Sequence, residues 1–324
     1  MTVRIVLCSP IYPDAVRQLA ARHEIEAAWS ATRDDLLDLV SRCEVLVARS
    51  GVDIDAEMLE TATSLRLVIR AGSGTDNLDL GALARLGIPL ERIPEPGADA
   101  VAEMTLALML ALLRNVPEAD RTVREGRWLK HELTGRRAAG RTLGIVGAGT
   151  IGRRVGRLGL AIGMTVLGCV ERPTRETREQ LTRLGIRPAS FDELISTSDV
   201  VTVHTPLTPV TRGLIDAGVL LRMRPGGYLL SLARGGVVDE WALRDALLSG
   251  QLAGAALDVH HEEGEGMSSP LADLPNVVLT PHIGAGTYEA QSAIGDRVVE
   301  LVEELATTDR MMRPISTGAR EAVL

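Results

Sequence analysis

Apolar runs of four to six residues recur along the chain without the polar alternation of a half-exposed sheet. VRIVLC (3–8), EVLVA (44–48) and LRLVI (65–69) are the first three. Runs of this kind read as strands covered on both faces. Helical periodicity lies between them, near 13–22, 33–41 and 55–62. The same rhythm resumes with TLGIVG (142–147), MTVLGC (164–169), DVVTVH (199–204), GYLLSL (227–232), LAGAALDV (252–259) and NVVLT (276–280). Strands that alternate with helices imply right-handed βαβ units, and so an α/β fold built on doubly wound parallel sheets.

The pattern breaks at PEPGAD (94–99), and a long helix is expected over roughly 100–114, before Pro117. A second boundary follows GAG at 284–286, where a helical pattern runs to about 306. The expectation is one domain made of 1–98 and 286–324, with a second, 99–285, inserted into it. A chain of 324 residues is too long for a single ordinary core and suggests two domains. The tail from Arg310 to Leu324 is unpatterned and is expected to rejoin the first domain in part.

Composition narrows the classes. Phe, Trp and Tyr number 1, 3 and 3, so the core must come from Leu, Val, Ile and Ala. A net charge of −8, with Arg interspersed among acids, argues against a nucleic-acid surface. The longest strongly apolar run, MTLALMLALL (104–113), is about half of what a bilayer crossing needs, so no membrane association is expected. Cys8, Cys43 and Cys169 are odd in number and far apart, and the N-terminus lacks a signal-peptide layout. A cytoplasmic location is the expectation.

GIVGAGTIG places Gly147, Gly149 and Gly152 in G-x-G-x-x-G spacing between an apolar strand and a helix. In that context the motif binds a dinucleotide pyrophosphate at a helix N-terminus. The bland alternative is a glycine-rich turn without a ligand. An acid is expected at the end of the next strand to accept ribose hydroxyls. Here the strand runs into GCVERPT, where Glu171 favours NAD and Arg172 suits the extra phosphate of NADP. NAD is the preferred reading and NADP is not excluded. A second loop, RAGSGTDN (70–77), follows a strand, and around Gly72 and Ser73 it can present backbone N–H groups to a small anion.

Three more strand ends carry chemistry. LARGGVVDE places Arg234 after one strand, TPHIGAG places His282 after another, and DVHHEEGEG (258–266) follows a third. Ligands of open α/β sheets bind beyond the carboxyl ends of the strands. An Arg can grip a carboxylate, a His can exchange a hydroxyl proton, and a Glu beside it can stabilise the imidazolium. Singly, each reads as surface: a solvated histidine, a capping arginine, an acidic loop. His260, His261 and Glu262 in series suggest a metal, but adjacent residues of extended chain point opposite ways. No metal is expected.

Taken together, RAGSGTDNLDL, AVAEMTLALMLALLR, GIVGAGTIG, VVTVHTPLTPVTRGLI, LARGGVVDEWAL, AGAALDV and LTPHIGAGT resemble the D-isomer-specific 2-hydroxyacid dehydrogenases, most closely the 3-phosphoglycerate dehydrogenase branch. The resemblance covers nearly the whole chain. It implies two Rossmann-like domains, with an NAD domain inserted into a substrate domain, a cleft between them, and a homodimer. It also implies an enzyme that interconverts a small anionic 2-hydroxy acid and its 2-oxo acid. The family's catalytic trio carries over to Arg234, Glu263 and His282; the family's Glu stands 29 residues after its Arg, and position 263 meets that spacing. Cofactor contacts carry over to Thr150, Ile151, Thr205, Pro206, Ala233, Asp258 and Gly284, and substrate contacts to Arg49, Ser50 and Arg70.

The chain also departs from the family pattern. The family's Asp at the end of the second NAD-domain strand aligns with Val170, and an Asn of the first crossover aligns with Gly97. The usual aromatic after Asp-Val is His260, and the Pro after the catalytic Glu is Gly264. These changes leave open a substrate other than 3-phosphoglycerate, such as a phosphonate or another anionic 2-hydroxy acid; phosphite or formate oxidation is a further option, since Arg234 does not distinguish them. A dinucleotide-sensing corepressor on the same fold is the alternative outside enzymes. The extension that carries a regulatory domain in some relatives is not expected here.

Overall fold

A computed structural model of the chain describes residues 2–312. The chain divides into two compact units: residues through Pro96 together with the chain from Thr287 onward, and Gly97–Gly286.

The first unit alternates strand and helix: β1 (Arg4–Leu7), α1 (Pro13–Ala20), β2 (Glu24–Ala27), α2 (Arg33–Ser41), β3 (Val45–Ala48), α3 (Ala56–Thr61), β4 (Leu67–Arg70), α4 (Leu80–Leu86) and β5 (Leu90–Arg92). Its parallel sheet has the order β2-β1-β3-β4-β5. Side chains of the central strands go alternately to the two faces. Ile5, Leu7, Val45, Val47 and Ile69 meet α1 and the C-terminal helix α12 (Tyr288–Met312). Val6, Leu46 and Val68 meet α2, α3 and α4 through Leu36, Val40, Met58 and Leu83. Because both faces are covered, β3 and β4 are apolar throughout, apart from Arg70 at the end of β4.

The second unit opens with α5 (Glu95–Leu113, which begins two residues before the unit boundary) and α6 (Val116–Arg124). Then come β6 (Thr142–Val146), α7 (Thr150–Ala161), β7 (Thr165–Cys169), α8 (Arg175–Arg183), β8 (Arg187–Pro188), α9 (Phe191–Thr197) and β9 (Val200–Val203). The unit closes with α10 (Ala217–Arg222), β10 (Gly227–Ser231), α11 (Glu240–Leu248), β11 (Leu252–Leu257) and β12 (Val277–Leu279). All seven strands are parallel, in the order β12-β11-β10-β9-β6-β7-β8. One face packs on α5 and α7 and the other on α9, α10 and α11. Strand order reverses between β6 and β9, and that switch point is where this class of sheet opens a crevice.

Two expectations change. The long helix starts at Glu95 rather than near 100, because Pro96 sits in its first turn, where a missing N–H costs nothing. At 19 residues α5 is therefore long and apolar enough by composition to cross a membrane; Leu108, Met109, Leu112 and Leu113 are buried in the core of the second unit. The tail expected to rejoin the first domain lies from 313 onward outside the described residues, while α12 itself continues through Met312.

Candidate active site

The turn after β6 has three glycines with three different reasons. Gly147 takes φ +92, and a Cβ there would lie 2.7 Å from the His204 carbonyl and 2.9 Å from the Thr205 nitrogen. The loops after β6 and β9 therefore touch through backbone. At Gly152, in the first turn of α7, a Cβ would lie 2.4 Å from the Gly147 carbonyl oxygen, so helix and strand close tightly only with hydrogen there. Gly149 is different: nothing lies within 4 Å of a Cβ built on it. It is the N-cap of α7, so the first amides of the helix, at Thr150 and Ile151, are left without a side-chain cap from it.

Beside this turn lies a cavity of about 570 Å³ lined by Gly147, Glu171, Arg178 and Thr205 among others. Thr205 Oγ1 and His204 Nδ1 are buried with no hydrogen-bond partner among the described residues. Burial pushes the His204 imidazole down to about 4, so it stays neutral, with Nε2 2.9 Å from Thr202 Oγ1. The Pro206 carbonyl accepts the Thr211 hydroxyl at 2.6 Å, which shapes the loop after β9. An uncapped helix N-terminus, an orphaned hydroxyl and a cavity of this size fit the phosphates and adenosine of a dinucleotide. At the end of β7, half-buried Val170 packs into the core, while Glu171 and Arg172 are exposed and sit 3.7 Å apart.

Three further strand ends carry the residues expected to form the catalytic trio. After β10, Arg234 Nη1 donates to the buried Ala233 carbonyl at 2.7 Å. After β11, Asp258 is buried. Its Oδ1 accepts from Thr280 Oγ1 at 2.6 Å and Ile283 N at 2.9 Å, and its Oδ2 accepts from Gly284 N at 2.7 Å. Its own carbonyl accepts from His282 N at 2.8 Å. These bonds hold the loop after β12 in a shape that puts His282 at φ +54, a region that disfavours side chains other than glycine.

Held there, His282 Nδ1 lies 2.7 Å from Glu263 Oε2, while Glu263 Oε1 accepts from His260 N at 3.1 Å. Burial pushes the Glu263 carboxyl up, but the His282 bond, the imidazole charge and the His260 N–H together outweigh it. The net effect holds Glu263 below the usual carboxylate range. Glu262 and Glu265 are exposed. His260 directs Nε2 to the Thr280 carbonyl at 3.0 Å, and His261 gives its backbone N–H to Glu240, so the two histidines serve separate loop contacts.

The remaining predicted residues belong to the first unit. Arg49, at the end of β3, gives Nη1 to Gln291 at 2.7 Å and to the Pro10 carbonyl at 3.3 Å; burial pushes its guanidinium down. Ser50 beside it is exposed. Arg70 is buried and donates to the carbonyls of Gly74 at 2.5 Å and Ala48 at 3.4 Å, which shapes the loop holding Gly72 and Ser73. Gly72 takes φ +158. Sequence reasoning did not anticipate the part played by Asp258 as a staple for the His282 loop, nor Glu240 and Thr280. The one available signal was that all three lie at strand or helix ends facing the same edge.

Residues 106–284 match the family described as D-isomer specific 2-hydroxyacid dehydrogenase, NAD binding domain. The chain is 37% identical over 305 residues to D-3-phosphoglycerate dehydrogenase of Archaeoglobus fulgidus, covering 94% of this chain and 57% of that protein. It thus spans little more than half the length of that relative. It is 34% identical to hydroxypyruvate reductase of Thermotoga maritima, over 93% of this chain and 97% of the relative. Among solved structures, D-lactate dehydrogenase of Aquifex aeolicus, complexed with NAD and lactic acid, superposes with a TM-score of 0.82 at 27% identity, covering 95% and 96% of the two chains. A glycine turn at the sheet's switch point and a His–Glu pair at its far strand ends are thus set within a sequence match that runs through both units: the chain belongs to the D-isomer-specific 2-hydroxyacid dehydrogenase family.

Proposed function

We propose that the protein is an NAD-dependent oxidoreductase that interconverts an anionic D-2-hydroxy acid and its 2-oxo acid. The observation that carries this reading is the 2.7 Å contact between Glu263 Oε2 and His282 Nδ1. A carboxylate kept ionised accepts the Nδ1–H, which fixes the tautomer and leaves Nε2 to take the substrate's hydroxyl proton. Glu263 then stabilises the imidazolium that forms. Arg234 is assigned the substrate carboxylate, which a guanidinium grips in two-pronged fashion. A bound nicotinamide would supply the acceptor for the hydride of C2, while the O–H proton goes to His282 and the 2-oxo acid is left.

Glu171 supports NAD as the cofactor by offering a carboxylate to the ribose diol, with Arg172 as the feature that would admit NADP. Arg49, Ser50, Arg70 and the backbone around Gly72 and Ser73 are assigned to the anionic end of the substrate. A homodimer is supported by the exposed apolar side chains of Val116, Val123 and Trp128. Three buried free thiols accord with a reducing, cytoplasmic setting. The test is a panel of 2-oxo acids, with and without a phosphate or phosphonate, assayed against NADH and NADPH. Turnover of at least one 2-oxo acid with NADH supports the reading; tight dinucleotide binding without turnover of any overturns it in favour of a sensor.

A further inference from the structure

The loop that carries Glu263 has little of its own to hold it in place. Residues 261–268 are all exposed, and Gly264 and Gly266 adopt φ of +139 and +82 with nothing within 4 Å of a Cβ on either. Yet the pair with His282 requires the carboxylate to be placed to a fraction of an ångström. Two contacts from outside the loop supply that placement. Glu240, in the first turn of α11, is 6% exposed. Its Oε1 accepts the His261 N–H at 2.6 Å and its Oε2 accepts the Ser269 hydroxyl at 3.2 Å. One carboxylate therefore grips the loop on both sides of Glu263. The second contact is at Gly235, next to Arg234, where a Cβ would lie 1.7 Å from the His260 carbonyl oxygen. The backbone after β10 thus presses directly on the start of the same loop.

A buried carboxylate is costly unless its oxygens are satisfied, and removing it leaves donors stranded. The N-terminus of α11 offsets part of that cost, since negative charge is favoured there. Glu240 does not pair with Glu263 or His282 itself, and its effect is geometric. Building on the reading of Glu263 and His282 as the proton-exchanging pair, we propose that Glu240 is a positioning residue for that pair. Its clamp on His261 and Ser269 sets where the Glu263 carboxylate stands, and does the work that a rigid residue at 264 would otherwise do.

The groups that bear on Glu263 are His282, from the loop after β12, and His260, on its own loop. Loosening the clamp lengthens both contacts and lets the carboxyl return toward its ordinary value. In Glu240→Ala, kcat should fall about tenfold or more, as misplaced catalytic groups do, while NADH affinity stays within about twofold of wild type. The acid limb of kcat/KM should move to higher pH. Glu240→Gln keeps an acceptor for the His261 N–H and should recover most of the rate, and Ser269→Ala should show a smaller loss of the same kind.

A readout independent of turnover is the carboxyl titration of Glu263, followed by carbon NMR on glutamate-labelled protein. It should rise in Glu240→Ala and stay close to wild type in Glu240→Gln. If Glu240→Ala fails to fold, the other two variants carry the test. An unmoved Glu263 titration and an unmoved acid limb in the variants that fold overturn the proposal, as does a loss of NADH binding in step with kcat. Should the wild type turn over no hydroxy acid, the functional reading falls, but the NMR titration still decides the clamp.

Discussion

At the scale of the residue, the acidic loop shows how neighbours of one chemical type are separated by geometry. Glu262, Glu263 and Glu265 are alike in sequence and all exposed to some degree. Of the three, Glu263 is the one joined to His282, and that bond helps to hold it below the usual carboxylate range. Residue types could nominate an Arg, a His and a Glu, and the family spacing singled out position 263. They could not reveal that Asp258 spends both carboxylate oxygens on the His282 loop, because that depends on how strands adjacent in the sheet end together. Glu263→Gln should lower kcat by about two orders of magnitude or more, since a positioned acid–base group is usually worth about 10²–10⁴-fold. Glu262→Gln should leave kcat within about twofold, since it removes only a solvated charge. Steady-state kinetics on the two variants side by side checks this.

At the scale of the element, the apolar runs located the covered strands because burial on both faces writes itself as uninterrupted Val, Leu and Ile. The strands they did not reveal are β2 (EIEA), β5 (LER) and β8 (RP), polar segments at or next to a sheet edge. An edge strand has one open side and needs no apolar run, so its pattern cannot be told from a loop. The glycine turn after β6 was legible as a motif, but its contact with the loop after β9 was not. That contact predicts that Gly147→Ala is costly. The new Cβ meets His204 backbone at 2.7 Å, on a residue at φ +92. The strain should weaken NADH binding by about tenfold or more and lower the melting temperature by a few degrees. Fluorescence titration and thermal melting measure the two effects.

At the scale of the whole molecule, the chain runs through a five-stranded unit, builds a seven-stranded one and returns to the first. PEPGAD, expected from the sequence as a boundary, holds the start of α5. Assembly is a matter of surface. Val116, Val123 and Trp128 are exposed at and just beyond α6, and a partner chain could cover them. Sedimentation should give twice the chain mass for wild type, and Val123→Asp combined with Trp128→Asp should give a monomer. A monomeric wild type would assign that apolar surface to something other than self-association.

The central claim is that Glu263 and His282 together exchange the proton of the substrate. The direct measurement is the pH dependence of kcat/KM for 2-oxo acid reduction in wild type and Glu263→Gln. Glu263 is held below the usual carboxylate range, so wild type should lose activity at the acid end, as that carboxylate takes up a proton. With the neutral amide in its place that acid limb should disappear, and the maximum should fall. An acid limb at the same pH in both proteins would contradict the account.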